Sequence, residues 1–263
     1  MFRSCLDYVW ELLILFSLIF FTFFVDKVFG IPLNSKELKK LAIYPHLRQN
    51  HRKMKILALS DEVVDRLYTL AANHYFDDVD LLLSCGDLPY EYLEYLLTIA
   101  NLPLYYVPGN HDPEYQELVG DSRAEGGVNL DLKTTRFDNF LIAGVGGSIR
   151  YRPDGINQYT QAQIYARILK LIPTLLLNKI RYGRALDILI THSPPFGIHD
   201  DSDSHAHQGL KALNLLIRWA KPRYHFHGHT HFYRQNLESS ITQYGETEVM
   251  NIFPYKIIEI DND

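Results

Sequence analysis

Four short polar blocks, each placed directly after an apolar run, constrain this chain more than any other feature of its sequence. They occupy positions 86–87, 109–112, 191–192 and 228–231 and read Gly-Asp, Gly-Asn-His-Asp, Thr-His and Gly-His-Thr-His. Short apolar runs rich in β-branched residues are typical of buried strands. Because side chains at neighbouring strand ends lie close together in a folded sheet, these oxygen and imidazole donors predict a clustered metal site.

The apolar runs alternate with segments of helical periodicity. Strands are predicted at 55–60, 79–84, 104–107, 140–145, 185–191 and 223–226, and helices at 62–72, 90–100, 159–178 and 210–220. Pro173 is expected to kink or break the longest helix, and the tail over 232–260 alternates as antiparallel strands do. This order favours an α/β fold with a largely parallel sheet. Such folds bind ligands beyond the carboxyl ends of their strands.

Composition is ordinary for a globular protein. Of 263 residues, 47% are hydrophobic and 22% charged, which is sufficient for a full core. The formal net charge of −5 does not indicate a general nucleic-acid-binding surface, so no such partner is inferred. The two cysteines, Cys5 and Cys85, stand in different contexts, so we expect no structural disulfide and a reducing compartment. Cys85 is predicted to be an ordinary buried residue.

The order of the blocks resembles that of the calcineurin-like metallophosphoesterases, over about residues 55–260. That superfamily carries Asp-x-His, Gly-Asp, Gly-Asn-His-Asp/Glu, a lone histidine after a strand, and Gly-His-x-His. This chain matches four of the five blocks in order. The resemblance implies an α/β fold built as a four-layer α-β-β-α sandwich. It also implies a centre of two metal ions and a phosphoester substrate, hydrolysed by attack of a metal-bound hydroxide.

The resemblance also assigns metal ligands. The residues that it implies are Asp61, Asp87, Asn110, His192, His229 and His231. Asp87 would bridge both ions. One ion would be completed by Asn110, His192 and His229, and the other would be held by Asp61 and His231. Mixed oxygen and nitrogen ligation suits Mn, Fe, Zn or Ni, and the sequence does not choose among them.

Two further residues receive catalytic roles from the resemblance. His111 would stabilise the phosphoryl oxygens or protonate the leaving group, and Asp112 would orient the imidazole of His111. No covalent intermediate is expected.

The first block departs from the superfamily pattern. Asp61 is followed by Glu62 and Val63, so the expected histidine is missing, and valine cannot bind a metal. The ion on the Asp61 side is therefore expected to be weakly held. Glu62 or Asp65 could supply a substitute ligand, although Asp65 would lie on the first turn of the following helix.

Other polar residues near the blocks are candidates for substrate contact. Arg150, or the nearby Arg152, could pair with a substrate phosphate. His207 is the member of the polar stretch 199–207 best placed to face the site. The alternatives are surface charges for the arginines and a solvated loop for the stretch. His225 is predicted to be an ordinary strand residue.

The N-terminal residues differ from the rest of the chain. Positions 12–25 carry no charge, and 9–29 is apolar except for Glu11, Asp26 and Lys27. A membrane-spanning helix needs about 20 apolar residues, so the stretch predicts a hydrophobic helix of borderline length. A membrane anchor is the favoured interpretation, and a cleaved signal peptide or a helix packed on the domain or a partner are the alternatives. No small-residue cleavage site follows, which weakens the signal-peptide interpretation.

These features predict three regions: a hydrophobic segment over 1–30, a basic linker over 31–54 and a phosphoesterase domain over 55–263. If the hydrophobic segment spans a membrane, the lysine and arginine residues that follow it place the catalytic domain in the cytoplasm by the positive-inside rule. The expected localisation is therefore membrane-associated with a cytoplasmic catalytic domain, and a soluble cytoplasmic protein is the alternative. The sequence does not indicate an oligomeric state.

Two functional hypotheses follow. The leading one is a metal-dependent phosphoric ester hydrolase that acts on a phosphomonoester or a phosphodiester. The rival is a degenerate phosphoesterase fold that serves as a binding or scaffold module near a membrane, and the missing histidine motivates it. Clustered donors need a cation to offset their desolvation, which favours the enzyme. The sequence does not identify the substrate.

Overall fold

A computed structural model of the chain describes residues 53–114, 122–201, 203–231 and 240–261. These residues belong to one compact unit, Arg48–Asp263. The hydrophobic helix predicted within residues 1–30 lies outside the described residues, as does nearly all of the predicted linker. Within the described ranges, no helix combines the length and the apolar character that crossing a bilayer requires.

Strands and helices alternate along the described chain. The first half contains β1 (Met54–Leu59), α1 (Asp65–Ala72), β2 (Leu81–Ser84), α2 (Tyr90–Ile99), β3 (Leu104–Tyr106), β4 (Val128–Asn129), β5 (Thr134–Phe137) and β6 (Phe140–Val145). The second half contains β7 (Ser148–Ile149), β8 (Gln158–Tyr159), α3 (Gln161–Leu169), α4 (Ile172–Tyr182), β9 (Ile188–Thr191), a 3-10 turn (His205–His207), α5 (Lys211–Ala220), β10 (Tyr224–His227), β11 (Ile241–Tyr244), β12 (Thr247–Asn251) and β13 (Tyr255–Ile260).

The strands form two large sheets and a small ribbon. The first sheet has the order β13-β1-β2-β3-β4, the second has the order β11-β12-β10-β9-β6-β5, and β7 pairs with β8. Strands β1 to β4 are parallel, as are β6, β9, β10 and β12. The edge strands β13, β11 and β5 are antiparallel to their neighbours. Each sheet therefore directs the carboxyl ends of its central strands towards one edge.

Three hydrophobic clusters define the layers. One fills the space between the sheets, with Ile56 and Leu81 from the first sheet facing Ile188 and Phe226 from the second. Another packs α1 and α2 against the outer face of the first sheet, and the last packs α3, α4 and α5 against the outer face of the second. The central strands are apolar on both faces because both faces are covered. This packing gives the predicted layers α-β-β-α.

Two local predictions need correction. The helical segment expected over 159–178, with a kink or break at Pro173, is two helices, and the break lies earlier, between Leu169 and Ile172. Pro173 lies in the first turn of α4, where its missing N–H forfeits no helical hydrogen bond. The tail is not wholly antiparallel either, because β12 runs parallel to β10.

Candidate metal centre

The predicted ligands all follow the carboxyl ends of parallel strands. Asp61 follows β1, Asp87 follows β2, Asn110 follows β3, His192 follows β9, and His229 and His231 follow β10. Both sheets contribute, so the residues meet at the edge where the two sheets face each other. All of them except the fully buried His192 border, with their neighbours, a cleft of about 370 Å³. The cleft is lined by Asp61, Asp87, Asn110, His111, Tyr151, Arg152, Ala206, His207, His229 and His231.

Three of these residues hold a left-handed backbone conformation. The φ angles are 65° at Asp61, 57° at Asp87 and 67° at His229. A non-glycine residue in this region costs about 1–2 kcal/mol, and such strain concentrates at functional sites. Hydrogen bonds hold the turns in place, since the amide of Asp61 donates to the carbonyl of Gly86 at 3.1 Å and the amide of His229 donates to the Asp61 carboxylate.

Backbone carbonyls orient the two central imidazoles. Nδ1 of His192 lies 2.9 Å from the carbonyl oxygen of Cys85, and Nε2 of His229 lies 2.8 Å from that of Ala206. Because a carbonyl only accepts, each of these nitrogens carries the proton. The remaining nitrogens, Nε2 of His192 and Nδ1 of His229, are left to face each other at 3.0 Å.

Two oxygen acceptors join this pair of nitrogens. Oδ1 of Asn110 lies 3.0 Å and Oδ2 of Asp87 lies 3.3 Å from Nε2 of His192. The ligand atoms of Asp87, His192 and His229 all lie within 4.8 Å of one another. If both imidazoles were neutral, four lone pairs would converge with no proton between them: those of the two imidazole nitrogens, the Asn110 oxygen and the Asp87 oxygen. A cation is required to stabilise that arrangement, either a proton on His192 or a metal ion.

Electrostatics identify where the proton lies without metal. Burial lowers the pKa of His192, but the negative charges of Asp87 and Asp61 and a hydrogen bond to Asp87 raise it to about 9 overall. Burial raises the pKa of Asp87, but the His192 charge outweighs it and lowers that pKa to about 2. Burial and the neighbouring His192 charge lower the pKa of His229 to about 3. His229 is thus a neutral imidazole, and the additional proton on Nε2 of His192 is the one that a bound metal ion would displace.

The residues present fit a metal ion on this side of the cleft. One carboxylate, one amide oxygen and two imidazoles are a donor set that transition ions accept, and their carbonyl partners are the outer-shell hydrogen bonds usual for metal-binding histidines. The residues that would hold the ion are Asp87, Asn110, His192 and His229.

The Asp61 side of the cleft offers few free metal ligands. Both carboxylate oxygens of Asp61 accept the amide of His229, at 3.1 and 2.9 Å, and Oδ2 also accepts the hydroxyl of Ser60. Nε2 of His231 lies 3.9 Å from Oδ1, and its half-exposed ring stacks on Phe253. Burial raises the pKa of Asp61. The Asp61 carboxylate oxygens are therefore already engaged in holding the turn at His229.

The two substitutes considered for the missing histidine do not approach the centre. Glu62 and Asp65 are both exposed, and neither borders the cleft. Val63 is half-buried and packs against the apolar cluster under α1 and α2.

His111 and Asp112 have different surroundings. The side chain of His111 is exposed and lines the cleft, while its amide donates to Oδ1 of Asp87 at 2.7 Å. Asp112 is buried, and its Oδ2 accepts the amides of Asp87 and Gly109 at 3.0 and 2.7 Å. Burial and the Asp87 charge raise the pKa of Asp112 to about 6. These contacts make Asp112 a tie between the loops that carry Asp87 and Gly109. Its role in orienting the His111 ring stays a prediction.

The residues predicted to contact substrate differ in whether they line the cleft. His207 lines the cleft, its ring centroid is 5.2 Å from that of His229, and its Nδ1 lies 2.9 Å from the Ser204 hydroxyl. The Arg150 guanidinium is directed away and donates to the carbonyl of Gln158 at 3.2 and 3.3 Å. Arg152 borders the cleft in its place.

Sequence reasoning missed two contributors. Tyr151 lines the cleft beside Arg152, and the Ala206 carbonyl fixes the tautomer of His229. A tyrosine between two arginines carries no motif, and a backbone carbonyl leaves no trace in residue identity.

Comparison with known proteins agrees with this geometry. The family model for calcineurin-like phosphoesterase matches residues 54–233. Uncharacterized protein MJ1162 of Methanocaldococcus jannaschii is 27% identical over 212 residues, which cover 76% of this chain and 88% of that protein. TT1561 of Thermus thermophilus superimposes with a TM-score of 0.51 at 18% identity, covering 76% of this chain and 89% of that one. Another crystal structure gives a TM-score of 0.58 at 16% identity, covering 79% and 95%.

The two solved structures share the fold, and the family model spans more than half of the sequence, including every predicted metal ligand. This chain belongs to the calcineurin-like phosphoesterase family.

Proposed function

We propose that the protein is a metal-dependent phosphoesterase that hydrolyses a phosphomonoester or a phosphodiester. The observation that supports this most strongly is that three atoms able to bind a metal ion lie within 3.3 Å of Nε2 of His192. They are Oδ1 of Asn110, Nδ1 of His229 and Oδ2 of Asp87. A scaffold could fill the same space with apolar side chains, whereas a metal-dependent enzyme needs these electron-pair donors to hold an ion.

Each group in the cleft has a proposed role. Asp87, Asn110, His192 and His229 would hold the tighter ion, and Asp61 with His231 a weaker second one. When bound, such ions polarise a phosphoryl oxygen and lower the pKa of water. The exposed imidazole of His111 would donate a proton to a phosphoryl or leaving-group oxygen. Arg152 and His207, which also line the cleft, would donate hydrogen bonds to the phosphate.

Hydrolysis of an aryl phosphate and a bis-aryl phosphate by the full chain tests this proposal. We expect turnover with at least one of Mn, Fe, Ni or Zn, and we expect a chelator to abolish it. Asp87→Ala should lower turnover by more than about 100-fold, because even residues that only hydrogen-bond to metal ligands contribute 10- to 100-fold.

The matched control is Asp77→Ala, since Asp77 is an exposed carboxylate paired with the exposed His74. That variant should retain full turnover. Absence of turnover with all four metals, or turnover that survives Asp87→Ala, would contradict the proposal and favour the scaffold.

We also propose that residues 9–29 associate the protein with a membrane and leave the catalytic domain in the cytoplasm. The apolar run and the basic residues after it support this. The full chain should sediment with membranes after alkaline carbonate treatment and dissolve only in detergent. Ile19→Asp should release it, since a carboxylate at the centre of a span costs about 3 kcal/mol. Recovery of the wild-type chain in the carbonate supernatant would contradict membrane insertion.

A further inference from the structure

We infer that Tyr151 is a positioning residue that fixes the side-chain amide of Asn110, so that the amide oxygen faces the position of the proposed metal ion. This inference rests on the proposed function, because it concerns the ion that the phosphoesterase would use. It assigns a role to a residue that no motif marks.

The two ends of the Asn110 amide have separate partners. Nδ2 donates to the Tyr151 hydroxyl at 3.2 Å, and Oδ1 lies 3.0 Å from Nε2 of His192. The two ends of an amide have nearly the same shape, so packing alone does not select between its two orientations. The reversed orientation would direct N–H donors towards the cation. The Tyr151 hydroxyl accepts from the nitrogen end and so holds the oxygen end towards the cation. Because a hydroxyl can also donate, the cation itself disfavours the reversed orientation, and Tyr151 stabilises the one that remains.

The backbone around Tyr151 is anchored independently of the metal ligands. Oε1 of the buried Gln158 accepts the amides of Tyr151 and Arg152 at 3.2 and 3.1 Å. The carbonyl of Arg150 lies 3.2 Å from Nε2 of His205. The backbone that carries Tyr151 is therefore anchored before any ion binds.

A second contact ties the same segment to the loop that carries Asn110. Nδ2 of Asn157 donates to the carbonyls of Gly109 and Asp112, at 3.0 and 3.2 Å. Asn157 thus fixes the backbone on both sides of Asn110, while Tyr151 fixes its side chain. Segment 150–158 forms one wall of the metal centre without supplying a predicted ligand.

Substrate contact is the competing role for this tyrosine. Tyr151 borders both the metal cleft and an adjoining cavity of about 400 Å³. A residue that contacts only substrate changes KM and leaves metal affinity unchanged. Metal affinity therefore separates the two roles.

Calorimetric titration of the chelator-treated full chain with Mn²⁺ and with Zn²⁺ tests the inference. Tyr151→Phe should raise the metal Kd by 10- to 100-fold, the range for outer-shell partners, and leave the Tm of the metal-free protein unchanged. The matched control is Tyr95→Phe, whose hydroxyl contacts the carbonyl of Tyr68 at 3.5 Å and does not border the cleft. Its Kd should equal that of the wild type.

A double-mutant cycle with Asn110→Ala completes the test. If Tyr151 acts through Asn110, then Tyr151→Phe should have no further effect on Kd once the amide is gone. An equal effect in both backgrounds, or a change in KM at unchanged Kd, would overturn the inference. Wild-type chain that binds no metal would refute the proposed function itself, whereas wild-type and Tyr151→Phe chains that bind equally well would refute only the role of Tyr151.

Discussion

His192→Ala is expected to abolish tight metal binding. The His192 side chain is fully buried, and its Nε2 is the atom around which the other three donors converge. Its removal should raise the metal Kd by more than about 100-fold, exceeding the effect of an outer-shell change. After desalting, elemental analysis should find one ion per wild-type chain and none in the variant. Calorimetry should show that the variant also loses the metal-dependent stabilisation, about 2.7 kcal/mol at 100 times the wild-type Kd.

His225→Ala is the matched control. His225 is also fully buried and precedes the same metal-site loop, but its Nε2 contacts the Thr191 hydroxyl at 2.8 Å. That variant should lose thermal stability, because a buried side chain is removed, yet keep the metal affinity of the wild type. Equal metal affinity in His192→Ala and wild type would refute the assignment of the centre.

The expectation of one retained ion follows from the Asp61 side. The Asp61 carboxylate already accepts one amide and one hydroxyl, and the position where the family has a histidine carries Val63. Any second ion must compete with these hydrogen bonds and bind beside a half-exposed His231. Such an ion should bind weakly and be lost on desalting.

The sequence predicts the fold well where strands are buried on both faces. Apart from Lys55 and Ser84, the runs at β1, β2 and β6 are continuous apolar segments because helices cover one face and the other sheet covers the opposite face. The polar blocks then mark the strand ends. The break predicted at Pro173 lies before it, between Leu169 and Ile172, because proline is accommodated in the first turn of a helix and need not mark the point of interruption.

The orientation of individual side chains was less predictable. Arg150 and Arg152 are the same residue type two positions apart, yet of these two arginines only Arg152 borders the cleft. The Arg150 guanidinium donates to the backbone carbonyl of Gln158, a residue in β8, whereas the Gln158 side chain accepts the backbone amide of Arg152. The contact of Asn110 with Tyr151 joins positions 41 residues apart. Local periodicity contains no information about such contacts, because tertiary packing fixes them.

Gly86→Ala is expected to have the largest effect on stability among the substitutions considered. Gly86 has φ +94°, and an added Cβ would lie 2.5 Å from the amide nitrogen of Gly109 and 3.0 Å from Nδ1 of His192. Strain at positive φ costs about 1–2 kcal/mol, and overpacking against backbone costs about 1–3 kcal/mol. Urea denaturation should therefore show a loss of roughly 3 kcal/mol, and displacement of His192 should weaken metal binding at the same time.

Gly183→Ala separates crowding from backbone strain. Gly183 also has positive φ, at +78°, but an added Cβ would meet nothing within 4 Å. It lies just after α4, and no predicted ligand is near it in the sequence. This control should lose only about 1–2 kcal/mol and retain full metal affinity. If both variants lost the same free energy, the close approach of Gly86 to Gly109 would not govern stability, and the two loops could separate without disrupting the centre.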